Sequence, residues 1–428
     1  MQKNFILEDL HQLCHDIGSR PAGSLTELAA AEFMAEKFRQ YGATSTAIER
    51  FMMQVRKAKS ESLEVCLNGV WQKFPALMLS GSPGTGGQTL ENEAVIFYAA
   101  VDFQRQDLGY LHDKAVILYG TDYTPQINYR RLMEAKPAFL VFADSRYPEK
   151  APVAESLIPH YVEQYGTVPS VSVGLLSVWE WMQNNLSRIR LNIDGGSVPG
   201  ESVNVVAEYP GNDPDAGIII IGSHLDSQVN TAGADDNASG MVFQLALARI
   251  LKDKKLRHTV RYISFGTEEQ LSVGSAAYVR RHSDEIKKHG KFMINADSCG
   301  TLLGWNEVTC CASPDVWLAF ETLMNKYGCY GKVSFAPTPF IDLMPFNACG
   351  VPGLWINRHN CTAGRFQHHR PSDSVEMISP AVISTHAAAV AEFILQIDRK
   401  ELEIPPLSAA MQSEIVSGWQ EFFGEKIL

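Results

Sequence analysis

The sequence predicts an α/β fold, in which a mixed, largely parallel sheet is sandwiched by helices and carries an inserted β-rich domain. Three observations support this prediction. Strand-like and helical patterns alternate after residue 202. The run Ile218–Ile221 is continuously apolar, as expected for a strand that is buried on both faces. Between residues 59 and 198, short β-type runs are separated by turn-rich stretches instead.

The length of 428 residues exceeds what one ordinary core supports, so more than one domain is expected. We assign residues 1–58 to the start of the main α/β domain and residues 59–198 to the inserted domain. The main domain is expected to resume over residues 199–400. Residues 401–428 are predicted to form a C-terminal tail whose role the sequence does not indicate.

The α/β part can be followed element by element. An amphipathic helix is predicted near the start, and a second helix follows Ser24 or Thr26, either of which can cap it. Strands and helices then alternate to a long last helix, which Ser379 and Pro380 are well suited to begin. After the isoleucine run we predict a helix over 238–251, a strand over 259–265, a helix over 273–281, a strand over 292–296, a helix over 314–327, a strand over 354–356 and a helix over 381–397.

Composition and charge exclude several classes of protein. The formal net charge of -11 and the lack of a dense Lys/Arg run argue against nucleic-acid binding. No apolar run approaches the roughly 20 residues that a membrane span requires. Glu8 and Asp9 lie where a secretory signal would be apolar, so we expect a cytoplasmic protein without membrane contact. The eight cysteines show no C-x-x-C spacing and are expected to be reduced thiols, and the oligomeric state is left open.

A histidine follows the isoleucine run directly. His224 offers an imidazole, which is a common zinc ligand. Asp226 lies two residues further on the same side of an extended chain, where it can accept the other ring N–H and orient the imidazole. Taken alone, this pair is more typical of a buried structural histidine that is hydrogen-bonded to an aspartate.

Two pairs of adjacent carboxylates follow. Asp235 and Asp236 precede a predicted helix, where one carboxylate would suffice as a cap and the other could bridge two cations. Glu268 and Glu269 follow the strand that ends at Phe265. One glutamate could bind a metal while the other acts as general base, although exposed glutamates in a first helical turn are the simpler alternative.

The last two candidates come from the end of the main domain. Asp297 follows a predicted strand, and His368 and His369 lie in a turn. Either part alone is more typical of a structural aspartate or a surface histidine. Together, however, the clusters supply imidazole and carboxylate groups at successive strand ends of one domain. Such a set is typical of a site that holds two zinc ions about 3.5–4 Å apart.

At this point a family resemblance becomes visible. The segments His224–Asp226, Asp235–Gly240, Glu268–Glu269, Asp297 and His369 resemble the motifs of the co-catalytic dizinc exopeptidases of metallopeptidase family 28. This family includes bacterial leucyl aminopeptidase and glutamate carboxypeptidase. The opening segment Gly18–Ser24 is also similar to the one that precedes the catalytic domain in these enzymes. The inserted domain resembles a protease-associated domain.

The resemblance implies two Zn²⁺ ions per chain and a role for each site residue. Asp235 would bridge both ions, His224 and Asp297 would complete one metal site, and Glu269 and His369 would complete the other. His369 is preferred over His368 because of its spacing to Pro371 and Asp373. Glu268 would be the general base and Asp226 would orient His224.

The expected activity is that of an aminopeptidase, in which a metal-bridged water attacks a peptide carbonyl and Glu268 transfers the proton to the leaving amine. Leu343 stands where family members often have a histidine, so substrate preference does not transfer. Two alternatives stay open. One is a carboxypeptidase or an amidase of N-acyl amino acids on the same scaffold, and the other is a transferase similar to glutaminyl cyclase.

Overall fold

The structure, a computed structural model, describes residues 2–120, 124–334 and 337–424. Within these residues the chain forms two compact units. Unit 1 comprises the described residues up to Met53, Glu201–Gln420 and Gly424. Unit 2 comprises Gln54–Gly200 and Glu421–Phe423. The predicted insertion, residues 59–198, lies within the Gln54–Gly200 segment of unit 2. Residues 401–420 of the predicted tail belong to unit 1.

Fourteen strands are present in the described part of the chain. In chain order they are β1 (Ser45–Leu67), β2 (Val70–Phe74), β3 (Leu77–Met78), β4 (Leu90–Tyr98), β5 (Ala115–Tyr119), β6 (Phe139–Ala143), β7 (Ser170–Val173), β8 (Leu186–Tyr209), β9 (Ile218–His224), β10 (Thr259–Phe265), β11 (Gly290–Ala296), β12 (Trp305–Cys311), β13 (Gly331–Ser334) and β14 (Gly353–His359).

The α-helices of the described residues precede, separate or follow these strands along the chain. They are α1 (Gln2–His11), α2 (Leu25–Gln40), α3 (Ala99–Asp102), α4 (Gln126–Glu134), α5 (Pro159–Tyr165), α6 (Leu175–Gln183), α7 (Gly240–Leu251), α8 (Val273–His289), α9 (Pro314–Lys326), α10 (Leu343–Ala348), α11 (Pro380–Asp398) and α12 (Ala409–Phe423).

The sheet of unit 1 has the strand order β13-β12-β14-β11-β9-β10-β8. The pairs β9–β10, β9–β11, β11–β14 and β12–β13 are parallel, whereas β10–β8 and β12–β14 are antiparallel. The predicted mixed, largely parallel sheet is therefore confirmed. The β9–β10–β11 triple lies at its centre, and its three strands point the same way.

The isoleucine run explains how helices cover both faces of this sheet. Ile219 and Ile221 belong to the apolar cluster formed with α1, α2, α7, α9 and α11. Ile218 and Ile220 belong to a second cluster formed with α8 and α10. Because successive side chains of a strand point to opposite faces, four consecutive isoleucines supply both cores.

One helix of the described residues, α11, is long and apolar enough to cross a membrane by length and composition. Its apolar residues Ile383, Val390 and Ile394 are fully buried in the core of unit 1. It begins where Ser379 accepts a hydrogen bond from the Val382 N–H, as the sequence predicted. Helix α11 is apolar because it packs in the core of unit 1.

Unit 2 contains a small α/β layer. Strands β4, β5, β6 and β7 pair in parallel in that order, while β8 and β3 add antiparallel neighbours at the two ends. Buried side chains such as Ile117, Val141 and Trp181 form its own apolar cluster. The strands predicted from the apolar runs are present, and helices α4, α5 and α6 lie between them along the chain.

Candidate metal centre

The central parallel strands bring three of the predicted clusters to one sheet edge. In the register of β9 and β10, His224 lies opposite Phe265, so the segment holding Glu268 begins next to the histidine. Strand β11 pairs with the other side of β9 and is followed at once by Asp297. The carboxyl ends of parallel strands are where α/β proteins place their ligands.

Around His224 the structure places three carboxylates. The ring Nε2 lies 3.1 Å from Asp236 Oδ1, 3.4 Å from Asp297 Oδ1 and 3.9 Å from Glu268 Oε2. The imidazole is fully buried. The Nε2 of His224 therefore lies near carboxylate oxygens of three residues, and a cation placed among these atoms could bind to all of them.

Around His369 there is a second group. The ring Nε2 lies 2.8 Å from Glu269 Oε2 and 3.7 Å from Asp236 Oδ2. His368 stacks on this ring at a centroid distance of 3.6 Å, and its Nε2 lies 3.6 Å from the same Asp236 oxygen. Asp236 therefore presents one oxygen to His224 and the other to the two histidines of the turn.

Asp235 was predicted to bridge the metal ions, and in the structure it makes hydrogen bonds to backbone and hydroxyl groups nearby. Its Oδ1 accepts a hydrogen bond from the Gly300 N–H at 3.0 Å, and its carbonyl accepts one from the Ser239 hydroxyl at 2.7 Å. The side chain that lies among the predicted ligands is its neighbour, Asp236. Ligand atoms of His224, Asp236 and Glu269 all lie within 4.8 Å of one another. The sequence could not separate the two adjacent aspartates because either can follow the same turn.

Asp226 has a different contact from the one predicted. The Nδ1 of His224 lies 3.1 Å from the carbonyl oxygen of Asp226 and 3.6 Å from its carboxylate. The carboxylate instead accepts hydrogen bonds from the backbone N–H groups of Glu268 at 3.0 Å and Glu269 at 3.2 Å. Asp226 thus fixes the ring of His224 through its backbone and the two glutamates through its side chain.

Two supporting residues were not predicted. Arg20 is fully buried, and its guanidinium donates hydrogen bonds to the carbonyls of Leu225 at 2.9 Å, Ala232 at 2.7 Å and Gly233 at 3.0 Å. It therefore ties together the two loops that hold His224 and Asp236. The opening Gly18–Ser24 segment was singled out only by resemblance, and nothing in the sequence paired Arg20 with these loops.

Asp373 supports the same turn from the other side. Its two carboxylate oxygens accept hydrogen bonds from the backbone N–H groups of Asp235 at 2.8 Å and Asp236 at 3.0 Å. In the sequence this residue served only to select His369 over His368. Its contacts show that the late turn also fixes the orientation of the Asp236 backbone.

Leu343, where the family resemblance would place a histidine, begins helix α10 and is fully buried in the apolar cluster that contains Ile263 and Phe346. It contributes to the core. Its neighbour Asp342 is also fully buried. The carboxylate of Asp342 repels the ionised form of Glu268 and so contributes to the raised pKa of Glu268.

Burial disfavours the ionised form of several acidic side chains around the site. It raises the pKa of Glu269 to about 7, of Asp342 to about 7 and of Asp373 to about 8. Burial also raises the pKa of Glu268 well above its usual range, and the neighbouring carboxylates of Asp342 and Asp297 add to the shift. Bound cations would remove this cost, since a nearby positive charge favours the ionised form. Imidazole and carboxylate ligands in this proportion fit zinc.

A mixed, largely parallel α/β sheet with buried imidazoles and carboxylates at its strand ends is typical of metal-dependent α/β enzymes. Residues 204–394 match the family described as Peptidase family M28. Over these residues the chain is similar to peptidase family M28. The family expected from the sequence is thereby confirmed.

Two relatives are similar to this chain over most of its length. The chain is 23% identical to Aminopeptidase YwaD of Bacillus subtilis over 95% of this chain and 87% of the relative. It is 27% identical to Carboxypeptidase Q of Rattus norvegicus over 90% of this chain and 84% of the relative.

Two solved structures share the fold at 20% identity. The Peptidase M28 precursor of Shewanella amazonensis covers 94% of this chain and 95% of its own, with a TM-score of 0.79. The likeness to BSAP, a zinc aminopeptidase from Bacillus subtilis, covers 96% of this chain and 98% of the BSAP chain, with a TM-score of 0.76. At this identity the two likenesses establish the fold alone.

Proposed function

We propose that this chain is a zinc-dependent exopeptidase that removes N-terminal residues from peptides. The observation that carries the proposal is the position of Asp236 between two imidazoles. Its Oδ1 faces His224 at 3.1 Å, and its Oδ2 faces His369 at 3.7 Å. A carboxylate that offers its two oxygens to two separate histidine groups is suited to bridging a pair of metal ions.

The proposed zinc ligands follow from this arrangement. Asp236 replaces the predicted Asp235 as the bridge, with His224 and Asp297 on one side and Glu269 and His369 on the other. When bound, two zinc ions would lower the pKa of a water molecule and polarise the peptide carbonyl. The combination of imidazole and carboxylate ligands supports zinc as the metal.

Glu268 is proposed to hold and move the proton. Its backbone N–H is fixed by Asp226, and its Oε2 lies 3.9 Å from His224 Nε2. It can therefore take a proton from a nucleophilic water and return it to the leaving amine. Neither of the two ligand pairs requires Glu268, so this carboxylate is available for proton transfer.

The choice of an aminopeptidase over other peptidases rests on similarity. Residues 204–394 match peptidase family M28, and the chain is 23% identical to Aminopeptidase YwaD over 95% of its length.

A carboxypeptidase is the second candidate. The observation in its favour is the likeness to Carboxypeptidase Q, which extends over 90% of this chain. In that case the guanidinium of Arg365, which lies beside Asp236, would form an ion pair with the carboxylate of the substrate. The two activities attack opposite ends of the peptide and are therefore separable by blocking either end.

Unit 2 is proposed to be a protease-associated-like domain, as the sequence resemblance implies. The order of its parallel strands β4, β5, β6 and β7 and the Pro169 that precedes β7 support this proposal.

The function is tested by elemental analysis together with release of amino acids from three forms of one short peptide. The forms are unblocked, N-acetylated and C-terminally amidated. Two zinc ions per chain, with cleavage that survives amidation and stops on acetylation, is the expected result. Cleavage that survives acetylation and stops on amidation would establish the carboxypeptidase, and the aminopeptidase proposal would be abandoned.

A further inference from the structure

Arg365 is a buried cation inside the candidate metal centre, and the proposed aminopeptidase reaction does not use it. Its side chain is 10% exposed, and its Nη2 lies 3.3 Å from Asp236 Oδ2. Its Nε is buried and has no hydrogen-bond partner among the described residues. A guanidinium so enclosed is expected to have a specific electrostatic role, because burying it costs free energy.

The loop that follows β14 holds this arginine and the histidines together. The carbonyl of Arg365 accepts a hydrogen bond from the His368 N–H at 3.2 Å. The Phe366 N–H in turn donates to Asn360 Oδ1 at 3.0 Å. The turn therefore presents one permanent cation and two imidazoles to the same oxygen of Asp236.

The two oxygens of Asp236 have different surroundings. Oδ1 faces His224, 3.1 Å away. Oδ2 faces Arg365 at 3.3 Å, together with His368 at 3.6 Å and His369 at 3.7 Å. The arginine thus lies on the His369 side of the carboxylate.

We propose that Arg365 is a built-in counter-ion that competes with the metal on the Glu269–His369 side, so that the two metal ions bind with unequal affinity. The inference rests on the two-metal site proposed above. It assigns the stronger binding to the His224–Asp297 side and the weaker, exchangeable binding to the side that Arg365 shares.

The chemistry of the side chains explains why Arg365 differs from the histidines. An imidazole that is protonated without metal can release its proton when a metal binds. A guanidinium cannot, because it stays charged at every accessible pH. A divalent ion at Asp236 Oδ2 must therefore coexist with this charge or displace it, and either outcome weakens its binding.

The same charge has a benefit for the metal-free chain. Asp236 is surrounded by other buried carboxylates, among them Asp235, Asp297 and Asp373, all of which interact electrostatically with Arg365. The guanidinium compensates part of this negative charge before any metal arrives. Arg365 thereby keeps the carboxylates in place at a cost in affinity for the second ion.

The test is calorimetric titration of Zn²⁺ into full-length protein stripped of metal with a chelator. For the unchanged chain we expect two binding steps, of which the second is weaker. The variant Arg365→Gln keeps an N–H donor but removes the charge, and should tighten the second step by about tenfold or more, the scale on which residues behind the ligands alter metal affinity. The first step should change much less.

Two further variants control this experiment. Arg365→Lys retains the positive charge and should keep the second step weak. Arg257→Gln removes an arginine that pairs with Asp213 at 2.6 Å elsewhere in unit 1, and should leave both steps unaltered. If Arg365→Gln fails to fold by circular dichroism, Arg365→Met provides a neutral side chain of similar length for the same titration.

Each outcome decides the matter. Tightening of the second step, or appearance of a second zinc where the unchanged chain binds one, supports the counter-ion role. Two steps that stay the same or weaken in the neutral variant overturn it and leave the two-metal site intact. One zinc in both the unchanged chain and the neutral variant overturns both the counter-ion role and the two-metal site.

Discussion

Strand β6 of unit 2 and strand β11 of unit 1 have similar positions in their sheets, but the aspartates that follow them have different contacts. Each is a buried strand between two parallel neighbours, and each is followed by an aspartate, Asp144 or Asp297. Asp144 forms two contacts with the Arg146 guanidinium, at 2.9 and 3.2 Å. Asp297 faces His224 at 3.4 Å.

The neighbouring strands explain this difference. Strands β5 and β7 are followed by Gly120 and Gly174, which supply no side chain to Asp144. Strand β9 ends in His224, and the segment after β10 supplies Glu268 and Glu269. A carboxylate at the end of a buried strand therefore marks a metal centre only where adjacent strands end in further ligands. Otherwise the chain compensates its charge locally.

The largest effect is expected from Glu268→Gln. The amide cannot accept the proton, so activity should fall by about 10²–10⁴-fold. Zinc content should stay the same, because Glu268 is not among the proposed ligands. Peptide turnover and elemental analysis on the same preparation measure both quantities. Asp144→Asn in unit 2 is the matched control and should retain its activity, and strong turnover by Glu268→Gln would exclude this residue as the base.

The second comparison is between neighbours, Asp235→Ala and Asp236→Ala. The loss of a bridging ligand should weaken zinc binding by at least about 100-fold, which is the upper range for residues that act behind the ligands. Asp235→Ala should keep its zinc and lose about 1–3 kcal/mol of stability, since the Gly300 N–H loses its acceptor. Equilibrium dialysis and urea unfolding measure the two effects. Zinc loss by Asp235→Ala alone would restore the original prediction.

A third prediction concerns His386, a buried histidine whose protonated form is disfavoured by burial and by the nearby cation Arg358. Burial lowers the pKa of His386 to about 3. An unfolded histidine, with a pKa near 6.5, binds a proton that the folded one refuses, so the free energy of unfolding should decrease as pH falls below about 6.5. The decrease contributed by this residue reaches about 1.4 kcal/mol per pH unit and ends near its folded pKa.

Urea unfolding of metal-stripped protein at pH 7, 6 and 5 measures this slope. His386→Gln should flatten it, whereas a variant of the exposed His112 should not. Equal slopes for His386→Gln and the unchanged chain would show that other groups cause the acid sensitivity.

The smallest effect is expected from Asp144→Ala. Arg146 is partly exposed and keeps its contact with Glu155, so loss of the Asp144 contacts should reduce the stability of the fold by only about 0.2–1 kcal/mol. Zinc content and activity per folded molecule should not change. Thermal unfolding and metal analysis on one sample measure these quantities, and a loss of zinc would contradict the interpretation of β6.

The sequence by itself determined the sheet and most of the candidate site. The four isoleucines required a strand covered on both faces, and the alternation after residue 202 required parallel strands whose carboxyl ends meet. Consequently His224, Glu269, Asp297 and His369 could be identified as candidates from their positions after predicted strands or in the late turn. These are local signals, because a strand and the residue after it lie together in the chain.

Only the tertiary structure decided which atoms meet. Asp235 and Asp236 are indistinguishable in the sequence, and the backbone of the turn that Asp373 and Arg20 hold directs Asp236 toward His224. Arg365 lies far from Asp236 in the chain, and no periodicity pairs them. The physical reason is that side-chain direction within an irregular turn depends on hydrogen bonds from distant residues. Such contacts leave no trace in the local pattern of the sequence.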